Sequence, residues 1–135
     1  MTTIERLLKN SRTVAIVELS SDEERPSYHV GSYLKEKGYT VIPVNPNEDT
    51  IIGEKSYPDL FSVPVKVDLV DIFRKVEDVP PVVDEAIEIG AKAVWMQLGI
   101  VNREAAAKAR KAGLTVVMNR CMFREYERLF DSENV

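Results

Sequence analysis

A chain of 135 residues can bury about two-thirds of its unfolded surface in one core, so we expect a single domain over residues 1–135 and no second catalytic domain. The formal net charge of -4 argues against a general nucleic-acid surface, which needs a concentrated basic face. No segment approaches the roughly 20 apolar residues of a membrane span, and the start lacks a signal-peptide pattern. Because Cys121 is the only cysteine, no internal disulfide can form, and we expect a cytoplasmic protein. From the charge and the lack of a membrane span, we expect binding to neither nucleic acid nor membrane.

Five short apolar runs rich in Val and Ile recur along the chain, and helical patterns separate them. The runs alternate little between apolar and polar residues, which is typical of strands covered on both faces. We predict strands over residues 13–17, 40–44, 67–73, 92–96 and 114–118. We predict helices over residues 4–9, 28–37, 79–89, 103–112 and 123–130, three of them followed by a glycine that suits a left-handed cap, namely Gly38, Gly90 and Gly113. Residues 46–66 are the least regular, and a loop with a small helix is expected there.

This alternation of strand and helix predicts an α/β fold, a Rossmann-like, doubly wound, parallel five-stranded sheet in the order 3-2-1-4-5. Ligands of such sheets bind at the carboxyl ends of the strands, where the order reverses. The loops after the first and fourth strands, which begin near Glu18 and Gln97, should therefore flank the crevice.

The first of these loops joins a buried strand to the start of a helix. Free N–H groups and the positive end of the helix dipole converge at such a point, which suits a phosphate. The glycine fingerprint G-x-G-x-x-G of nicotinamide dinucleotide enzymes is absent, and the second strand ends Val44-Asn45-Pro46 without a ribose-binding acid. Since no metal-ligand spacing, catalytic dyad or nucleophile elbow occurs either, we predict a nucleotide site with no catalytic residue and no metal.

Six segments, in their order and spacing over nearly the whole chain, resemble the small stand-alone CoA-binding domain family. That family also resembles the N-terminal CoA-binding domain of the succinyl-CoA synthetase alpha subunit. The segments are Arg25-Pro26-Ser27-Tyr28, residues 41–46 (VIPVNP), residues 53–58 (GEKSYP), residues 70–74 (VDIFR), residues 95–99 (WMQLG) and residues 119–122 (NRCM).

The resemblance implies that the crevice holds CoA or an acyl-CoA. The first loop would donate to the diphosphate and the cation at its end would pair with a phosphate, while the residues after the later strands would contact the nucleoside, the 3′-phosphate and the pantetheine arm. The implied binding residues are Leu19, Ser20, Ser21, Arg25, Pro26, Ser27, Asn45, Pro46, Phe73, Arg74, Lys75, Gln97, Gly99, Asn119, Arg120 and Cys121.

Several of these residues also have a purely structural interpretation, and the sequence leaves both open. Arg25 either holds a phosphate or pairs with Asp22 or Glu23 in a solvated loop. Phe73 either faces the ligand or fills the core. Cys121 is either buried and inert or close enough to the thiol of CoA to form a mixed disulfide with it.

One residue departs from the family pattern. Relatives usually have a glycine directly after the first strand, where this chain has Glu18. A carboxylate that faces the crevice would oppose the charge of the ligand, whereas one that points away would leave its backbone N–H free to donate.

We therefore expect non-catalytic binding of CoA or acyl-CoA, by a protein that acts as a sensor, a carrier or a partner subunit. The alternatives are an oxidoreductase or transferase that uses another nucleotide, and a scaffold whose pocket has degenerated. A homodimer or a further protein partner is left open. The charged fraction of 30% favours a heat-stable protein.

Overall fold

The computed structural model describes residues 1–131, which form a parallel sheet with helices on both faces. A 3-10 turn precedes the third helix at Val76–Asp78, and a π-helical turn follows the fifth at Glu127–Asp131. The helices are α1 (Thr3–Asn10), α2 (Pro26–Glu36), α3 (Val79–Glu88), α4 (Arg103–Lys111) and α5 (Met122–Tyr126). The strands are β1 (Thr13–Val17), β2 (Thr40–Val44), β3 (Thr50–Ile51), β4 (Glu54–Lys55), β5 (Leu69–Ile72), β6 (Ala93–Met96) and β7 (Thr115–Val117).

The main sheet confirms the Rossmann-like α/β class. Its order is β2-β1-β5-β6-β7, and every neighbouring pair is parallel. On the outer side of β2, Val44 forms a single parallel bridge with Tyr57. If the bridging segment at Tyr57 is counted as the third strand, then β2, β1, β5 and β6 take the positions 2, 1, 4 and 5 of the 3-2-1-4-5 pattern. The strand β7 then follows β6 as a sixth.

The strand predicted over residues 67–73 occupies a different place from the expected one. The sequence predicts it as the third strand, outside β2, whereas β5 lies between β1 and β6. All four residues of β5 are buried, as an interior strand requires. The carboxylate of Asp68 accepts hydrogen bonds from the backbone N–H groups of Arg12 and Thr13 at 2.9 and 3.0 Å, which fixes the start of β5 beside the start of β1.

The small helix expected within residues 46–66 does not form. The antiparallel strands β3 and β4 form a hairpin there, and the two residues between them, Ile52 and Gly53, both have positive φ. Such a two-residue turn matches the twist of a hairpin, and it normally requires residues that tolerate a left-handed backbone. Residues 46–66 therefore run along the edge of β2, and the chain then returns to the middle of the sheet at β5.

The apolar runs fill two cores, one on each face of the sheet. Val14 and Ile16 of β1 belong to the core that packs against α1, α2 and α5. Ala15 and Val17, which alternate with them, belong to the core beneath α3 and α4. The aromatic ring of Phe123 stacks on Tyr33 of α2 with ring centroids 4.0 Å apart, so the carboxyl-terminal helix packs on its own domain.

The sheet order places the crevice between β1 and β5, because the connections from these neighbouring strands leave in opposite directions. The loops that border it begin at Glu18 and Phe73. The expected second flank at Gln97 lies one strand further along, after β6. Within residues 1–131, no helix has the length and apolar character that a bilayer crossing requires.

Candidate functional site

Two adjoining clefts lie at the carboxyl edge of the sheet, and Pro26 and Phe73 line both of them. The polar cleft, of about 420 Å³, is also lined by Glu18, Ser20, Arg25, Ser27, Asn45 and Asn47. The apolar cleft, of about 730 Å³, is also lined by Glu24, His29, Val30, Gln97, Leu98, Ile100, Cys121, Phe123, Arg124 and Glu127.

Glu18 lies at the entrance to the loop after β1 with a left-handed backbone, φ 67°. This region favours glycine, and a carboxylate side chain occupies it only at a cost in strain. Its N–H donates to the carbonyl of Val44 at 2.8 Å, while its Oε1 lies 3.9 Å from Nε of Arg74. The carboxylate therefore lines the polar cleft, and the backbone N–H is already used within the protein.

The N–H groups of the following loop are also engaged. That of Leu19 donates to the carbonyl of Ile16 at 3.4 Å, and the buried Leu19 side chain belongs to the core, so the contact of this residue with a ligand stays a prediction. The N–H of Ser20 donates to Oγ of Ser27 at 3.0 Å. The N–H of Ser21 donates to Oε2 of Glu48 at 3.2 Å, so a carboxylate from the loop after β2 occupies an amide that an anion could take.

Arg25 directly precedes α2, and its side chain caps none of the helix N–H groups. The side chain is 70% exposed, with its Nε atom 3.8 Å from Oδ2 of Asp22. An exposed pair of this kind contributes little to stability, so the cation can be redirected at small cost. Pro26 occupies the first turn of α2, and the positive end of this helix lies at the polar cleft beside Arg25.

Asn45 joins the two loops that form the polar cleft. Its Nδ2 donates to the carbonyl of Leu19 at 3.0 Å, and its Oδ1 accepts from the N–H of Asn47 at 2.9 Å. Asn45 therefore closes a turn through its own side chain and also lines the cleft. Pro46 is exposed and lines neither cleft.

The three residues after β5 separate in the structure. Phe73 forms the wall between the two clefts. The Nε atom of Arg74 is buried and makes no hydrogen bond, and Glu18 is the ion-pair partner of this side chain. Lys75 is exposed and lines neither cleft.

The residues after β6 and β7 have different roles. Gln97 is buried and lines the apolar cleft, and Cys121 is half-buried beside it. The N–H of Gly99 donates to Oδ1 of Asn119 at 2.7 Å, so these two residues join neighbouring loops outside the clefts. The carbonyl of Arg120 accepts from Nε1 of Trp95 at 2.8 Å, while its side chain is exposed and lines neither cleft.

The sequence analysis missed Asp71, which lies in the centre of β5 and is fully buried. Nε2 of Gln97 donates to its Oδ1 and Oδ2 at 3.0 and 3.3 Å. Burial raises the pKa of Asp71 well above its usual value, against the opposing effect of the Gln97 hydrogen bond, and favours the neutral acid. The signal in the sequence was a single carboxylate within a strand predicted to be covered on both faces.

Residues 1–131 contain no group of three or more His, Cys, Asp or Glu side chains placed to hold a metal ion. The arrangement instead joins a small polar cleft, lined by Arg25 at a helix N-terminus and by Glu18 with its ion-pair partner Arg74 behind it, to a larger apolar cleft.

The chain matches a known protein family over most of its length. The family model described as CoA binding domain matches residues 12–127. The uncharacterised protein YneT of Bacillus subtilis is 36% identical over 119 residues, which cover 88% of each chain. The acetate–CoA ligase (ADP-forming) II subunit alpha of Pyrococcus furiosus is 35% identical over 86 residues, and this match covers 63% of the present chain and 19% of that subunit.

Solved structures show the same relationship. A hypothetical protein from Pyrococcus horikoshii superposes with a TM-score of 0.91 at 44% identity, covering 93% of this chain and 89% of that one. The dinucleotide-forming acetyl-coenzyme A synthetase 1 of Candidatus Korarchaeum cryptofilum, in its apo form, superposes with a TM-score of 0.73 at 27% identity. That match covers 84% of this chain and 27% of the synthetase, so the present chain corresponds to a minor part of the larger enzyme.

Proposed function

Because the chain belongs to the CoA binding domain family, we propose that it binds coenzyme A or an acyl-CoA without catalysing a reaction, at the carboxyl edge of its sheet. The observation that carries this proposal is the pair of adjoining clefts, which differ in chemistry and share the wall formed by Phe73 and Pro26.

The two clefts match the two halves of CoA. Its nucleotide end carries the phosphate charges, and its pantetheine arm is long, uncharged and ends in a thiol. The polar cleft beside Arg25 and the N-terminus of α2 suits the phosphates. The apolar cleft, with Leu98, Ile100 and Phe123 in its walls, suits the arm, and Cys121 would lie beside this part of the ligand.

Charge in the polar cleft sets the expected strength of binding. Arg25 is exposed and weakly paired, and Arg74 has a buried Nε without a hydrogen bond. A phosphate group could supply the missing acceptor to Arg74, but it would have to replace the carboxylate of Glu18. Similarly, it would reach the N–H of Ser21 only by displacing Glu48. We therefore propose specific but moderate affinity.

The role of a sensor, carrier or partner subunit extends this proposal. The ligase and synthetase relatives contain much more chain than the matched region, and their activities belong to those whole proteins. In this chain the residues around the two clefts offer binding groups, and within residues 1–131 no hydrogen bond joins His29 to Cys121, the base and the nucleophile that line the apolar cleft. A homodimer or a separate partner protein would be compatible with each of these roles.

A scaffold with a degenerate pocket is the second candidate. The observation in its favour is that internal acceptors already satisfy the N–H groups of Glu18, Leu19, Ser20 and Ser21. An oxidoreductase or transferase that uses another nucleotide has no comparable support, since the glycine fingerprint of the dinucleotide enzymes is absent.

Calorimetric titration distinguishes these candidates. We expect the purified protein to bind CoA and not NAD, and Arg25→Ala to weaken CoA binding about 3- to 10-fold, the effect of losing one charge-assisted hydrogen bond. Arg12→Ala is the matched control, because Arg12 is exposed at the opposite end of β1 and lines neither cleft. No binding of CoA at several temperatures would support the degenerate scaffold, and preferential binding of NAD would contradict the proposal.

A further inference from the structure

Asp71 and Gln97 form a buried hydrogen-bonded pair that is separate from the residues predicted to bind phosphate. Asp71 is 0% exposed in the middle of β5, and Gln97 follows directly on β6, its parallel neighbour. A carboxyl group this deeply buried requires hydrogen-bond partners, and its side-chain donor within residues 1–131 is the Gln97 amide. The pair thus connects the sheet interior to the apolar cleft, which Gln97 lines.

The contact determines what the amide of Gln97 can offer. A side-chain amide carries two N–H donors on its nitrogen and one carbonyl acceptor. The nitrogen is directed to both oxygens of Asp71, at 3.0 and 3.3 Å. None of the hydrogen bonds found within residues 1–131 ends on Oε1 of Gln97, so this carbonyl is the free polar group of the pair.

The surroundings of this acceptor affect how strongly it favours a ligand that carries a hydrogen-bond donor. Phe73, Leu98, Ile100 and Phe123 make much of the cleft lining apolar, and the polar and charged side chains of the same cleft are those of Glu24, His29, Cys121, Arg124 and Glu127. An acceptor in such surroundings is costly when it lacks a donor, and it favours a ligand that presents an N–H at that depth.

We propose that Asp71 is a positioning residue, which holds the Gln97 amide so that its carbonyl oxygen accepts a hydrogen bond from an amide N–H of the ligand's arm. This inference rests on the proposed function, since the amide-bearing arm is the pantetheine of CoA. It assigns the apolar cleft a polar specificity determinant, which selects nucleotides with such an arm over nucleotides without one.

The variants at position 71 differ in what they offer the amide of Gln97. Asparagine at position 71 retains the shape and a carbonyl acceptor for Nε2 of Gln97, whereas alanine removes that acceptor.

The test compares two probes, CoA and 3′-phosphoadenosine 5′-phosphate, which has the nucleotide end but no arm. Gln97→Met keeps the length of the side chain and removes both polar atoms. We expect this variant to weaken binding of CoA about 3- to 10-fold, as the loss of one hydrogen bond does, and to leave binding of the armless nucleotide unchanged. Asp71→Ala should also lower the preference for CoA over the armless nucleotide, whereas Asp71→Asn should keep that preference at the wild-type value.

Each outcome has a distinct meaning, with folding of every variant checked by circular dichroism. Equal weakening of both probes by Gln97→Met, or no weakening of either, would overturn the inference while the proposed function stands. If Asp71→Ala folds and keeps the wild-type preference for CoA, Asp71 is not a positioning residue. If Asp71→Ala does not fold, the other two variants decide. The inference then requires that Gln97→Met weakens the binding of CoA alone and that Asp71→Asn keeps the wild-type preference for CoA. If the wild-type chain binds neither probe, the proposed function itself fails, and the inference fails with it.

Discussion

Replacing Glu18 by glycine should tighten CoA binding with little change in stability. The carboxylate lines the polar cleft and its Oε1 lies 3.9 Å from Nε of Arg74. Its removal would therefore eliminate one negative charge near the expected phosphates and leave Arg74 without a competing anion. A negative charge about 6 Å from a phosphate charge costs roughly 0.7 to 1.4 kcal/mol at effective dielectric constants of about 80 to 40. This energy corresponds to an affinity gain of about 3- to 10-fold.

The stability effect of Glu18→Gly combines opposing contributions. Relief of the left-handed backbone, φ 67°, is worth about 1 to 2 kcal/mol. The greater chain entropy of unfolded glycine costs about 0.5 to 1 kcal/mol, and loss of the half-exposed ion pair with Arg74 costs from about 0 to 1 kcal/mol. We therefore expect the free energy of unfolding to change by no more than about 1.5 kcal/mol in either direction.

Glu18→Gln separates charge from backbone strain, because it removes the charge and retains the side chain. We expect calorimetry to show that it recovers most of the affinity gain, and that the gain shrinks at high salt, where exposed charges are screened. Glu23→Gln is the matched control, since Glu23 is an exposed carboxylate of the same loop that lines neither cleft. If Glu18→Gly tightened binding while Glu18→Gln did not, the backbone rather than the charge would be responsible. If neither variant differed from wild type, the reasoning would be refuted.

Three further predictions concern the sheet and the wall between the clefts. Because burial raises the pKa of Asp71 in the folded state, unfolding releases a proton at pH values between its unfolded and folded pKa. The free energy of unfolding should therefore fall as pH rises through that window, by up to about 1.4 kcal/mol per pH unit, and Asp71→Asn should remove this part of the slope. If urea unfolding gave the same pH dependence for wild type and Asp71→Asn, the prediction would be wrong. Asp68→Ala leaves two N–H groups at the start of β1 without their acceptor and should cost about 2 kcal/mol, whereas Lys92→Met removes only the exposed partner of Asp68 and should cost under about 0.5 kcal/mol. Equal losses in the two urea titrations would show that the ion pair, not the backbone contacts, matters. Phe73→Ala should weaken CoA and the armless nucleotide alike, about 3- to 10-fold in calorimetry, because this ring lines both clefts; an effect on CoA alone would place its contribution entirely in the apolar cleft.

Local patterns predicted most of the elements, because strand and helix formation depend on neighbouring residues. The bounds of β1 and β2 agree with the apolar runs, and the helices begin and end within two residues of the predicted positions up to α4. The place of β5 could not be predicted in the same way. It depends on how residues 46–66 return to the sheet and on long-range contacts such as that of Asp68 with the start of β1.

The site was partly predictable for a similar reason. Residues that follow parallel strands must gather at one edge, and Asn45, Phe73, Gln97 and Cys121 all line the clefts there. Hydrogen-bond occupancy is different, because it depends on distant partners. No local pattern shows that the N–H of Ser21 is bonded to Glu48, and none shows that a buried acid lies behind Gln97.

The bridge between Val44 and Tyr57 also governs how the sheet can meet other chains. The N–H of Asn45 donates to the carbonyl of Tyr57 and the N–H of Tyr57 donates to that of Pro43, so the outer side of β2 is already occupied near its carboxyl end. Pro43 itself has no N–H to offer to an added strand. Within residues 1–131, no strand pairs with the outer side of β7. Strand addition, which leads to fibrillar growth in open parallel sheets, is thus blocked at the carboxyl end of β2, and on the other side of the sheet β7 offers a strand of only three residues.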